Sequence, residues 1–218
     1  MGEIMFEIYI IILILIFALL VTGIKLATQS PKKIKFMCFF IILVYTLRYI
    51  TLIIFTMVNS SIYLYLLKPF YYLYLIGIPL VGLTVLYIFI RTIKINFYYI
   101  FISIPILLFI YALMQVNVTA VLGISNMGNH FYTFTIQNGE YVLWFYVIVN
   151  LLFAFSSLIY VRNRIVIKKG ICITFIASII AVIEVVMASF GIRIFPENVL
   201  GDLAWLIVLV YSLNKVKH

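Results

Sequence analysis

Residues 4–23 read IMFEIYIIILILIFALLVTG, and they decide the fold. One charged side chain, Glu7, stands in the whole stretch. A bilayer core of about 30 Å is crossed by about 20 apolar residues at a rise of about 1.5 Å each. Lipid offers no partner to backbone N–H and C=O groups, so a spanning segment is either a helix or a strand of a closed barrel. Barrel strands alternate polar and apolar side chains over about ten positions. Positions 9–20, YIIILILIFALL, have no alternation, so the segment reads as a helix. It does not read as a secretory leader. Glu3 and Glu7 occupy the place of a basic n-region, and Lys25, Lys32, Lys33 and Lys35 follow the apolar run. That order belongs to an uncleaved anchor with its N-terminus outside. Met1-Gly2 would suit myristoylation, but Phe6 stands where Ser or Thr is needed.

Outward from this segment, six more stretches share its character: 36–58, 62–90, 97–115, 141–161, 171–190 and 199–213. Composition points the same way. Of 218 residues, 67% are hydrophobic and 10% charged, and mean hydropathy is +1.29. A soluble domain carries about 45–50% apolar and about 25% charged residues. Disorder is excluded because a disordered chain is poor in hydrophobic residues. The reading is an all-α membrane protein, one seven-transmembrane helix bundle over residues 1–218.

Charge placement orients it. Alternate connections are basic: Lys25, Lys32, Lys33 and Lys35; then Arg91 and Lys94; then Arg162, Arg164, Lys168 and Lys169; then Lys215 and Lys217. The other connections hold only Arg193, with Lys68 just inside the third span. The positive-inside rule puts the N-terminus outside and the C-terminus in the cytoplasm of a multi-pass cell-membrane protein. Glu3, Glu7, Glu140, Glu197 and Asp202 then fall on the outer side. With the net charge of +9 distributed this way, nucleic acid is not an expected partner; the lipid bilayer is. The longest outer connection, 116–140, contains Gly123, Gly128, Gly139, a β-prone run at 130–136 and the turn signal Asn138-Gly139. It reads as a short extracellular strand or hairpin over the mouth of the bundle.

Ionisable residues inside spans are costly and mark function by default. Arg48 and Glu184 both lie about 18–20 Å from the inner face by helical rise. Equal depth and opposite charge predict an intramembrane ion pair between them. Nearer the outside, Lys68, Tyr71, Tyr72, Asp202 and Glu7 are the candidate ligand pocket. Lys68 and Tyr72 share a helix face, and Tyr63, Tyr65 and Tyr74 add an aromatic belt. Asn150 in the fifth span is an expected interhelical hydrogen-bonding residue. Pro79 and Pro105 are expected to kink the third and fourth helices. The 17 Tyr and 19 Phe read as lipid-facing filler and interface anchors. Cys38 and Cys172 are too few for a disulfide scaffold and read as inert apolar residues. His130 stands alone, so no metal site is expected.

The seventh span lacks a mid-membrane lysine for a retinal Schiff base. No His-Glu-x-x-His, Walker loop or Gly-x-Ser-x-Gly occurs. Nothing supplies a nucleophile with a base at hand, so neither an enzyme nor a cofactor is expected.

The third span, 67–79, reads LKPFYYLYLIGIP, and an apolar run ending in Arg91 and Lys94 follows it. The long outer loop ends NGEYVLWF at 138–145, and the sixth-to-seventh connection reads GIRIFP at 191–196, followed by Asp202. These stretches resemble the N-terminal seven-transmembrane sensor region of bacterial membrane histidine kinases over nearly the whole chain. One departure lies at the start of the long loop, where Asn117-Val118-Thr119-Ala120 replaces the family's Asn-Pro-x-His. The kinase part is absent from the sequence. The resemblance implies a sensor or receptor module in signal transduction, of the two-component kind. It would detect an outer or membrane signal, for instance a small-molecule ligand, and pass it to a cytoplasmic signalling partner or separate kinase. A homodimer is a further partner to consider. The alternative is a small seven-helix transporter, which predicts internal repeats and broken helices at a midplane site. A weaker third reading is an assembly partner held by helix packing alone.

Overall fold

The computed structural model describes residues 2–58, 61–90, 96–124, 132–163, 166–191, 195 and 198–216. Arg91, Lys94, His130, Arg164, Arg193, Glu197 and Lys217 lie outside them. The chain folds as α1 (Gly2–Thr28), α2 (Lys32–Met57), two single-turn helices α3 (Ser61–Leu64) and α4 (Lys68–Tyr71) around a 3-10 turn (Tyr65–Leu67), α5 (Tyr74–Ile90) and α6 (Tyr98–Asn117). A hairpin of β1 (Thr119–Ile124) and β2 (Tyr132–Asn138) follows, then α7 (Glu140–Val161), α8 (Lys168–Ser189) and α9 (Val199–Val216). Among the described residues, seven helices are long and apolar enough to cross a membrane, the chain 65–90 counting as one of them.

That third segment differs from the single helix expected over 62–90. Pro69 has no N–H to give and crowds the carbonyl four residues back, which suits it to the first turn of a helix, and α4 holds it there. The chain instead descends by single turns, with Leu73 N–H donating to Phe70 O, Leu75 to Tyr72 O and Ile76 to Leu73 O. Regular helix resumes at Tyr74. Pro79 and Pro105 lie within α5 and α6, neither of which is divided there.

α5 is the centre of the bundle. Fifteen of its seventeen residues are buried, only Leu83 and Tyr87 escaping. A helix that is apolar all round belongs in a core. α2, α6, α7, α8 and α9 all pack on it. Around it, α1 packs on α2 and α9, α9 on α8, and α8 on α7. α6 stands apart: among the described residues α5 is the one helix it packs on extensively, and Ile100 is its single buried residue. Gly82 shows how close the packing on α5 is. A Cβ there would lie 2.3 Å from the Phe153 ring of α7, so the ring occupies the space a side chain would need.

The hairpin forms at one end of the bundle, where the sequence has its β-prone run. β1 and β2 are antiparallel, with Ala120 opposite Ile136, Leu122 opposite Phe134 and Ile124 opposite Tyr132. Gly139, at φ 130°, makes the turn from β2 into α7, a conformation that L side chains resist.

Candidate functional site

Tyr45, Arg48, Tyr49 and Leu52 recur at helical spacing on one face of α2, and all four are buried. Across from them α9 presents Asp202, Trp205, Leu206 and Leu209, also buried. The two faces meet at an ion pair. Arg48 Nη1 lies 2.5 Å from Asp202 Oδ2, and both side chains are fully enclosed. The Tyr49 hydroxyl donates to the same oxygen at 2.8 Å. The Tyr74 ring of α5 lies 4.4 Å from Arg48 Cζ, a cation–π contact that gives the guanidinium a face to rest on. Tyr45 and Tyr49 stack at 6.3 Å, and Tyr146 of α7 meets Tyr74 at 5.3 Å. One helical turn below Asp202, Trp205 Nε1 donates to Asn150 Oδ1 at 2.9 Å, so Asn150 joins α7 to α9.

The ion pair expected between Arg48 and Glu184 is corrected by this geometry: the acid on Arg48 is Asp202. Equal depth in two helices does not fix which way each side chain points, and Glu184 has other work. The first N–H groups of a helix have no partner within it. Glu184 Oε1 accepts the Leu200 N–H at 3.1 Å and Oε2 the Gly201 N–H at 2.7 Å, so a carboxylate of α8 caps the start of α9. Gly201 also permits the close approach here. A Cβ on it would lie 2.5 Å from the Tyr146 hydroxyl and 3.0 Å from the Ala181 Cβ.

Several polar atoms at this centre exceed what the fold satisfies. The Tyr45 hydroxyl, the Tyr146 hydroxyl and Asp202 Oδ1 are buried without a hydrogen-bond partner among the described residues. An unsatisfied buried polar group costs about 1–3 kcal/mol, so this region has hydrogen-bonding capacity in reserve. Beside it runs a narrow crevice between α5 and α7, lined by Tyr74, Ile78, Pro79, Phe145, Tyr146 and Asn150.

The residues expected around one outer pocket are divided between two places, Glu7 belonging to neither. Asp202 belongs to the ion pair. Glu7 is exposed on α1. Lys68, Tyr71 and Tyr72 hold the hairpin down. Lys68 Nζ donates to the carbonyls of Gln115 (3.3 Å) and Val118 (2.5 Å), placing a cation at the C-terminal end of α6. Tyr111 Oη donates to the Pro69 carbonyl. The Phe134 N–H donates to the Tyr71 hydroxyl at 3.2 Å, and Leu122 N–H to that of Tyr65 at 3.3 Å. The Phe134 ring is set among Tyr71 (5.0 Å), Phe55 (5.4 Å), Tyr65 (5.8 Å) and Tyr72 (6.4 Å).

The two places are joined. Tyr72 lies 6.2 Å from Tyr74, and Tyr74 touches Arg48. Sequence reasoning missed Phe134, Tyr49, Tyr146 and Trp205. The spacing of Tyr45, Arg48 and Tyr49 and that of Asp202 and Trp205 carried a signal for Tyr49 and Trp205; nothing local marks Tyr146 as a neighbour of Tyr74 or Phe134 as the strand residue that enters the bundle. Among the described residues, no group of His, Cys, Asp and Glu is arranged to hold a metal ion. No protein-family model matches the chain, and no curated protein matches it.

Proposed function

We propose that this chain is a multi-pass membrane sensor, with its N-terminus and hairpin outside and its C-terminus in the cytoplasm. The observation that carries the reading is the line of side chains from Phe134 through Tyr72 and Tyr74 to Arg48 and Asp202. It runs from the hairpin to the start of α9, the helix whose far end carries Lys215. A small-molecule ligand or membrane signal that displaces Phe134 alters the support under Arg48, and α9 passes the shift to a cytoplasmic partner. The resemblance to the sensor region of histidine kinases supports a separate kinase as that partner. Such a role needs no catalytic group in the chain.

The test is mechanical. With spin labels at Arg162 and Lys215 in lipid nanodiscs, Phe134→Ala is expected to change their separation by about 1–2 Å, the size of helix shifts in switching proteins. An unchanged separation removes the reading. Uptake of solute into vesicles containing the chain would instead favour the transporter.

A further inference from the structure

Arg48 has two acids to choose from. Asp202 holds it now, but through one oxygen: Oδ2 receives both Arg48 and Tyr49, while Oδ1 has no hydrogen-bond partner among the described residues. The strongest guanidinium–carboxylate pairs use both oxygens in a fork. Glu184 of α8 reaches the same end of α9. Its present partners are the Leu200 and Gly201 N–H groups, which immediately precede Asp202 on α9. The two acids are thus linked through one short piece of backbone. The Tyr45 and Tyr146 hydroxyls are buried and have no hydrogen-bond partner among the described residues. Tyr146 rests directly against Gly201.

We propose that Arg48 is a two-position latch: it exchanges Asp202 for Glu184, and the exchange strips the carboxylate cap from the start of α9. In the first position α9 is held twice, by Arg48 on Asp202 and by Glu184 on the Leu200 and Gly201 amides. In the second, Glu184 turns to the guanidinium, the two amides lose their acceptor, and Asp202 passes to the tyrosine hydroxyls. Both arrangements keep every charge paired or hydrogen-bonded, the condition for two states of similar free energy in one protein. The latch does not depend on the sensor reading, because it is measured without signal or partner.

Amide exchange at Leu200 and Gly201, followed in the full chain in lipid nanodiscs, separates this from a static ion pair. Asp202→Asn drives Arg48 to Glu184 and is expected to speed exchange at both amides about tenfold, the scale of a lost helix cap. The double variant Asp202→Asn/Arg48→Gln is expected to regain wild-type protection. If the double variant stays as loose as Asp202→Asn, or if Asp202→Asn changes nothing, the latch is wrong. Should Asp202→Asn fail to fold, the wild-type chain decides. Solid-state dipolar recoupling between ¹⁵N-arginine and ¹³C-glutamate should show a minor population at ion-pair distance, about 4 Å, that Glu184→Gln abolishes. Lack of that population overturns the proposal.

Discussion

Arg48 and Asp202 are both fully buried, and each is the other's counter-charge. Removing one partner of such a pair strands the other, at a cost of about 3–5 kcal/mol. Arg48→Ala should therefore lower thermal stability in detergent far more than Arg48→Met combined with Asp202→Leu, in which no charge remains. If the double variant is as unstable as the single one, the ion pair is not the reason. A second residue-scale expectation concerns Trp205. Trp205→Phe keeps the ring beside Phe153, 5.3 Å away, but removes the donor to Asn150. The loss should be about 1 kcal/mol, read as a shift in unfolding midpoint, and Asn150→Leu in the same background should cost little more. The sequence made Arg48, Asp202 and Asn150 conspicuous, because polar groups are rare in apolar spans. It did not pair them, because pairing depends on how each helix is rotated, and mean hydropathy does not carry rotation.

Among the elements, α5 is the one whose surroundings are tightest. Gly82→Ala places a methyl 2.3 Å from the Phe153 ring and should cost about 1–3 kcal/mol through overpacking. Gly23→Ala in α1 meets Ile42 at 3.4 Å, an ordinary contact, and should leave the unfolding midpoint near that of the wild type. Lys68 is the other pressure point. Lys68→Met removes the cation from the end of α6 and should cost about 0.3–1 kcal/mol. Its mark is faster amide exchange at Val118, whose N–H donates to Met114 O in the last turn, with α9 unaffected. Helix positions were legible because 20-residue apolar runs admit few other structures. The break at 65–73 was not, since the hydropathy of 62–90 is continuous and only Pro69 hints at it. The hairpin was visible from Asn138-Gly139 and the β-prone run, and the described residues pair over 119–124 and 132–138.

For the whole molecule, the charge pattern makes a firm topological expectation. Lys33→Cys should react with a membrane-impermeant maleimide only in inside-out vesicles, and Gln137→Cys, in β2, only in intact cells. The reverse result, or reaction of both from one side, inverts the orientation and with it the direction of any signal. The clustering of lysines at alternate connections could be seen in the sequence because it is one-dimensional information. The packing of α2, α6, α7, α8 and α9 about α5 could not be, because all seven segments are apolar enough to have been the central one.

α6 leaves a last consequence. It is 20 residues long, and at about 1.5 Å per residue that is about 30 Å, the thickness of a bilayer core. In a bilayer, a helix with α5 as its main protein neighbour among the described residues would take its tilt from acyl-chain length more than from packing. Its hairpin end is moored to the 68–69 bend by Lys68 and Tyr111. A thicker bilayer would draw on that mooring first, giving the hairpin a gauge of the fat around it.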